Sequence, residues 1–557
     1  MTHITRSIVV PVLVLVLVLA LVAGCGGKAE RSGGGGGDTG AGGAPVRGGS
    51  LTYALDAETG GGWCLPESQL AGSGITVARA IYDTLTMPDR EGRYVPFLAE
   101  AVEPGADFTE WTITVREGVT FHDGSALTAE VVKNNLDAYR GTAGGHARSP
   151  LLTIFVFANI AGVEVTGERT LVVTTKVPWP AFPAFLYSAG RLGMMAQAQL
   201  DDTESCATDL VGTGPFVLDE WVQGRELRAR RNPDYWQVAP DGEAYPYLDE
   251  IVFEPIVDAE QRTNALLVDD VQMGRFFTAD DRIQLREEGE AGDLAVFETE
   301  SESLKGFWQL NVSKPPLDDV RIRRAMALAI DREDYRQTLD RGEFTDANGP
   351  FGPDSPAHLE DTGYPMEPDR DEARRLVAEY VSEVGPVRSI RYQHWPESAQ
   401  QEQAVFFQQA MAEIGIEITI ETVQQDALID AAVAGDYDMM SFANYPSGDP
   451  DELTVWFTGQ SPVNFARFDD DEVDRLLAAG RIETDPDARW AIYQDLNRRL
   501  GEQAYMLWHT NMTPFVASST VVHGYDPDTA APLPDGDRPN EAAALSATYG
   551  LWRTDAG

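Results

Sequence analysis

An α/β fold with parallel strands is predicted by the succession of patterns over residues 390–441, with two further regions in support. Ile390-Arg391-Tyr392-Gln393-His394 alternates in the manner of a strand, and residues 399–414 carry Phe406, Ala410 and Ile414 at helical spacing. Gly415 stops that helix, after which Ile416, Ile418 and Ile420 alternate with Glu417, Thr419 and Glu421. A helix through Ile429 and Val433 ends at Gly435, and a strand through Tyr437, Met439 and Ser441 follows. Strand–helix–strand–helix–strand implies parallel pairing with right-handed crossovers. Ligands of such open sheets sit beyond the carboxyl ends of the strands, here His394-Trp395 and Asn444-Tyr445.

The two supporting regions lie earlier. In Trp111-Thr112-Ile113-Thr114-Val115 apolar and polar residues alternate, Asp123-Gly124 signals a turn, and Thr128 is placed to cap a helix through Val132, Leu136 and Tyr139. Pro315-Pro316-Leu317-Asp318-Asp319 leads into a helix with Ile322, Met326, Ala329 and Ile330 on one face. Asp318 or Asp319 is its natural N-cap, since a carboxylate suits the positive helix end.

The N-terminus has a different character. After Arg6, an apolar run from Ile8 to Val22 ends in Val22-Ala23-Gly24-Cys25. Small residues before a cysteine are the layout of a bacterial lipoprotein signal, with residues 1–24 removed and Cys25 lipidated. The alternative is an uncleaved spanning helix, for which the run falls short of the roughly 20 residues required. Residues 25–47 are glycine-rich and read as a flexible tether. The body after it is thus expected outside the cell, held to the outer membrane face by lipid or lying in the periplasm.

The formal net charge is −46, with 89 acids spread along the chain against 43 Lys and Arg, so a nucleic-acid partner is excluded. A salty habitat or a cationic ligand are further readings of that acidity. Beyond Cys25 only Cys64 and Cys206 remain, and an even pair in an oxidising compartment is read most simply as a disulfide, with two unrelated thiols as the alternative.

Enzyme chemistry finds no footing. There is no G-x-S-x-G, H-E-x-x-H, P-loop or G-x-G-x-x-G motif, and the seven histidines lack metal-ligand spacing. No catalytic residue, cofactor or metal is expected. Aromatic residues near predicted strand ends and loops offer binding surface instead: Trp63, Trp395, Tyr445, Trp508 and His509. A lone loop tryptophan is more often packing than ligand contact, so the reading depends on several converging.

Several stretches in order carry a resemblance. They are Ile81-Tyr82-Asp83-Thr84-Leu85, Pro96 to Glu100, Thr112 through Phe121-His122-Asp123-Gly124-Ser125, Gly212-Thr213-Gly214-Pro215-Phe216, Arg231 to Trp236, and Asn311 through Pro315-Pro316-Leu317-Asp318-Asp319 to Asp331. From about Gly48 to about Trp508 the chain resembles family 5, the large extracellular solute-binding proteins of peptide and nickel importers. The resemblance implies a two-lobed, periplasmic-binding-protein-like α/β fold of type II in its large, cluster C form, with a subsidiary domain in lobe one. Lobe one would comprise 48–80, 203–305 and 506–557, the subsidiary domain 81–202 and lobe two 306–505, hinged near Trp308-Asn311 and Tyr505-His509.

It further implies a monomeric, non-enzymatic protein that captures a peptide or peptide-like ligand and delivers it to ABC permease and ATPase subunits. A sensor lipoprotein on the same fold, or a binder of sugars, opines or nickel chelates, are the alternatives. The ligand-binding residues expected on these grounds are Trp63, Tyr392, His394, Trp395, Asn444, Tyr445 and Asp449. In dipeptide-binding relatives an aspartate after a lobe-two strand holds the free amine. Aligning Gly448-Asp449-Pro450-Asp451 puts Pro446 there, and a proline ring cannot hold an ammonium ion.

Overall fold

A computed structural model describes residues 43–556 apart from 60, 69, 143–149, 151, 300–303, 445–447 and 460. Three sheets organise these residues. The first has seven strands in the order Leu294–Glu298, Phe515–Ser519, Met273–Arg275, Ser50–Leu55, Glu250–Pro255, Glu226–Arg231 and Phe216–Val222. Ser50–Leu55 pairs parallel with both Glu250–Pro255 and Met273–Arg275, and the remaining pairs are antiparallel. A four-stranded antiparallel sheet, Ala99–Pro104, Glu110–Val115, Thr170–Thr175 and Ile160–Val165, lies within residues 81–202. Its inward residues Trp111, Ile113 and Val173 share one core with Leu51, Tyr53 and the buried helix Gly72–Ile81.

The second large sheet has six strands in the order Thr345–Asp346, Met506–Met512, Leu304–Leu310, Met439–Asn444, Ile390–His394 and Ile418–Thr422. Ile390–His394 runs parallel to both neighbours, as the alternating pattern predicts. The helices Ser398–Glu413 and Gln425–Ala434 make the crossovers, and Gly435 ends the second with φ +73°, a left-handed conformation that glycine adopts without a Cβ clash. Asp319 caps the helix Val320–Ala329 through the Arg321 amide, and Thr128 caps Ala129–Arg140 through the Val131 amide. A second core, separate from the first, fills this region around Trp308, Phe407, Tyr493 and Trp508.

The chain passes between the two large sheets twice, side by side. Leu294–Glu298 and Phe515–Ser519 pair in the first sheet, while Leu304–Leu310 and Met506–Met512 pair in the second. The C-terminal passage therefore falls between Met512 and Phe515, not at the 505/506 boundary expected from sequence. The strand that starts at Met506 keeps its ladder with Leu304–Leu310 through Met512, so its apolar half, Met506 to Trp508, belongs to the second core.

The stretches that carry the family resemblance meet in space as a structural knot. Buried Asp83 accepts hydrogen bonds from Thr213 Oγ1 (3.0 Å), Tyr235 OH (3.2 Å) and Trp236 Nε1 (2.9 Å). The His122 amide donates to the Gly212 carbonyl at 2.9 Å. His122 Nδ1 accepts from the Gly212 amide (3.3 Å), which leaves Nε2 to donate to the Gly214 carbonyl (3.0 Å). A Cβ at Gly212 or Gly214 would strike the backbone of Ile81, so the close approach needs glycine. Cys64 and Cys206 form a disulfide beside this knot.

Candidate functional site

A narrow cleft, partly open to solvent and with a cavity volume of about 70 Å³, lies where the two large sheets and the subsidiary sheet's neighbourhood face one another. Each element delivers its residues for a local reason. Helix Gly72–Ile81 begins at the cleft and supplies Gly72 and Ile75. The strand Met273–Arg275 places Arg275 and, two residues on, Phe277 at its carboxyl end, where a parallel sheet leaves space for a ligand. Tyr94 and Tyr187 pack ring to ring at 6.0 Å and enter from residues 81–202. The adjoining ends of the two passing strands add Leu304 and Met512, continued by Thr513 and Pro514. From the second sheet comes Gly448, four residues beyond the strand Met439–Asn444, so close to Tyr94 OH that a Cβ there would clash.

The lining is mostly apolar and aromatic with a few polar groups, the usual make-up of a small-molecule site. Next to Leu304 on the same strand, the ammonium of Lys305 is held down to about 8 by burial, with Asp354 acting in the opposite sense. Among the described residues the one trio of carboxylates spaced for a cation, Asp89, Glu91 and Asp537, lies elsewhere, and Arg93 bridges all three.

Of the residues expected from sequence to bind ligand, Trp63, Tyr392, His394, Trp395 and Asp449 are not among the residues that line this cleft. Trp63 is 1% exposed and packs edge-on against Trp221 in the first core. Tyr392 is fully buried, its hydroxyl joined to Trp308 Nε1, Gln403 and Ser441, which ties three strands to a crossover helix. His394 is equally buried, with Nδ1 at 2.7 Å from the Trp395 carbonyl and Nε2 at 3.3 Å from Thr422 Oγ1. Half-buried Trp395 donates to Glu397 and leans on the small cluster around Leu428 and Tyr437. The polar atoms of Tyr392, His394 and Trp395 are satisfied within the second sheet's region, which leaves little for a ligand, while Trp63 Nε1 is enclosed in the first core without an acceptor.

Asp449 caps the turn Pro450–Glu452 and grips Arg489 through two oxygens at 2.6 and 2.9 Å. Asn444 ends its strand opposite Lys305. Tyr445, Pro446 and Cys25 lie outside the described residues. The cleft residues Tyr94, Tyr187, Arg275 and Phe277 were missed by sequence reasoning. The available signal was Arg275 itself, a lone cation amid Val271-Gln272-Met273-Gly274 and Phe276-Phe277 in an acidic chain.

Residues 93–465 match the family model of bacterial extracellular solute-binding proteins, family 5. A probable di/tripeptide-binding protein 5 of Pseudomonas aeruginosa is 28% identical over 470 residues, covering 78% of this chain and 85% of that one. The glutathione-binding protein GsiB of Salmonella typhi is 26% identical over 430 residues, 75% and 81% of the two chains. Among solved structures, the oligopeptide-binding protein AppA of Bacillus subtilis, in complex with a nonapeptide, superposes with a TM-score of 0.79 at 18% identity, covering 92% of this chain and all of that one. The two-lobed α/β fold is thus shared with that protein, and since the family match spans well over half of the chain, this protein belongs to the family 5 extracellular solute-binding proteins.

Proposed function

We propose that this chain is the capture component of an ABC importer and takes a peptide or peptide-like solute between two closing lobes. The observation that carries the reading is the cleft: it is lined at once by the carboxyl end of a first-sheet strand, by Gly448 beyond a second-sheet strand, and by both passing strands. The peptide and glutathione binders among its relatives support the ligand class. Lobe one comprises the first sheet with residues 81–202 as its subsidiary domain, lobe two the second sheet, and the hinge lies where the strands Leu294–Glu298 and Phe515–Ser519 of the one give way to Leu304–Leu310 and Met506–Met512 of the other. Paired strands that leave one sheet and enter the other side by side are the arrangement in which small backbone changes rotate two bodies as a hinge.

Ligand that binds only the folded closed form raises the melting temperature with concentration, by about 2.7 kcal/mol of stability at a hundredfold excess over Kd. A thermal-shift series with di-, tri- and nonapeptides, glutathione, sugars and nickel–histidine should therefore show a dose-dependent rise for a peptide or glutathione. A rise confined to sugars or the nickel chelate would overturn the peptide class. The same reading places the body outside the cell on a lipid held by Cys25. Labelling cells with a fatty-acid probe should tag the parent, while a Cys25→Ala variant that is still tagged would refute the anchor.

A further inference from the structure

Arg275 is an unusual arginine. The chain has 89 acids for 43 basic residues, so a guanidinium finds a carboxylate almost anywhere. Among the described arginines only Arg275 and the exposed Arg230 make neither a hydrogen bond nor an ion pair. Yet Arg275 is half-buried, with Nε fully enclosed and without an acceptor. Its one recorded contact is the face of Phe277, 6.0 Å from the ring centroid. The terminal nitrogens remain accessible, and the residue lines the cleft.

A guanidinium withdrawn from water without a partner is costly, so such a group persists where a partner arrives from outside. The strand holds it rigidly. Arg275 is the last residue of Met273–Arg275, laddered to Val516 on one side, with the strand Ser50–Leu55 on the other. Among the described residues that line the cleft there is no acid, the passing strands and the loop at Gly448 contributing Leu304, Met512, Thr513, Pro514 and glycine.

We infer that Arg275 reads a carboxylate of the captured ligand, and so restricts the ligand class to carboxylate-bearing peptides or peptide-like acids. The inference rests on the cleft proposed above as the binding site and goes beyond it in naming the group recognised. A planar fork with parallel N–H donors matches a carboxylate in two hydrogen bonds, and a neutral amide offers no equivalent. The ring of Phe277 keeps the fork oriented before the ligand arrives.

The experiment compares parent, Arg275→Gln and Arg275→Lys by calorimetry. The probes are trialanine, glutathione and a nonapeptide, each as free acid and as C-terminal amide (for glutathione, the diamide), with acetate, succinate and citrate run in parallel by thermal shift. In the parent the acids should bind roughly ten- to a hundredfold tighter than the amides, the range expected of a charge-assisted pair. Arg275→Gln should lose that preference, and Arg275→Lys should keep part of it. The unliganded melting temperature of Arg275→Gln should stay close to the parent's, because the side chain has no hydrogen bond or ion pair within the protein to lose. If no peptide binds but the small carboxylates stabilise the parent and not Arg275→Gln, the peptide class falls and the carboxylate reading stands. Equal binding of acids and amides by the parent, an undiminished preference in Arg275→Gln, or no response to any probe would overturn the inference.

Discussion

Buried histidines show how a single residue couples this fold to pH. His122, bonded on both ring nitrogens to the backbone of Gly212 and Gly214, is lowered by burial to about 4, and His509, packed between Trp308 and Tyr335, to about 3. Both are neutral in the folded chain, while in the unfolded chain they take up a proton near their ordinary value of 6.5. Below that value the unfolded state binds more protons, so stability is full above pH 6.5 and falls as the pH drops toward 4. Each unit costs about 1.4 kcal/mol per histidine. Asp340, raised by burial to about 7, works in the opposite sense: its contribution falls as pH rises from about 4 to 7. Against that background, denaturation of His122→Gln at pH 7 and pH 5 should show a loss smaller than the parent's by about 2 kcal/mol. Identical losses would mean that the ring is not held neutral.

At the scale of elements, the turn Pro450–Glu452 after the last parallel strand of lobe two fastens onto residues 81–202. Asp451, with no exposed surface, accepts from Trp179 Nε1 at 2.7 Å and from Arg481 Nε at 3.0 Å. The Arg481 guanidinium also lies over the rings of Trp179 and Phe185, at 5.4 and 5.8 Å. Trp179 and Asp451 are 272 residues apart, so this bond holds only while the two regions face each other closely. Trp179→Phe keeps the ring stacking and removes one buried donor, which should cost about 1–2 kcal/mol. The loss should appear as a lower melting temperature and as a larger radius of gyration by small-angle scattering without ligand. An unchanged radius would show that the contact does not govern closure.

On the scale of the whole molecule, the disulfide closes a loop of 142 residues that contains the entire four-stranded sheet. In the chain-entropy account a loop of that size contributes about 4–5 kcal/mol by restricting the unfolded chain, and measured values often fall below it. The double variant Cys64→Ala with Cys206→Ala should therefore unfold at lower denaturant with a loss of at least about 2 kcal/mol. Ligand affinity should stay the same, since neither cysteine lines the cleft. A variant as stable as the parent would show that the core alone holds the subsidiary sheet in place.

The elements of this protein were legible because their causes are local. Alternation at 390–394, the glycine stops at 415 and 435 and the caps Thr128 and Asp319 are set by neighbours within a few residues, and the observed elements follow them. Parallel pairing followed too, because a helix between two strands leaves the chain no other short return. The family stretches were legible as a pattern, but their purpose was not, since only packing brings Asp83, His122, Gly212 and Trp236 into one knot. The cleft was the least legible part. Strand-end aromatics such as Tyr392 and Trp395 looked available, yet Trp308 and Ser441 on neighbouring strands and Gln403 on the crossover helix take up the Tyr392 hydroxyl, and Glu397, two residues on, takes the Trp395 indole N–H. Arg275, Tyr94 and Gly448 gather from widely separated segments, and whether a cation meets a carboxylate or open space depends on what faces it across two lobes. No window of sequence contains that opposing surface, so composition and periodicity determined the elements and the class of fold, while tertiary packing alone decided which side chains were left for a ligand.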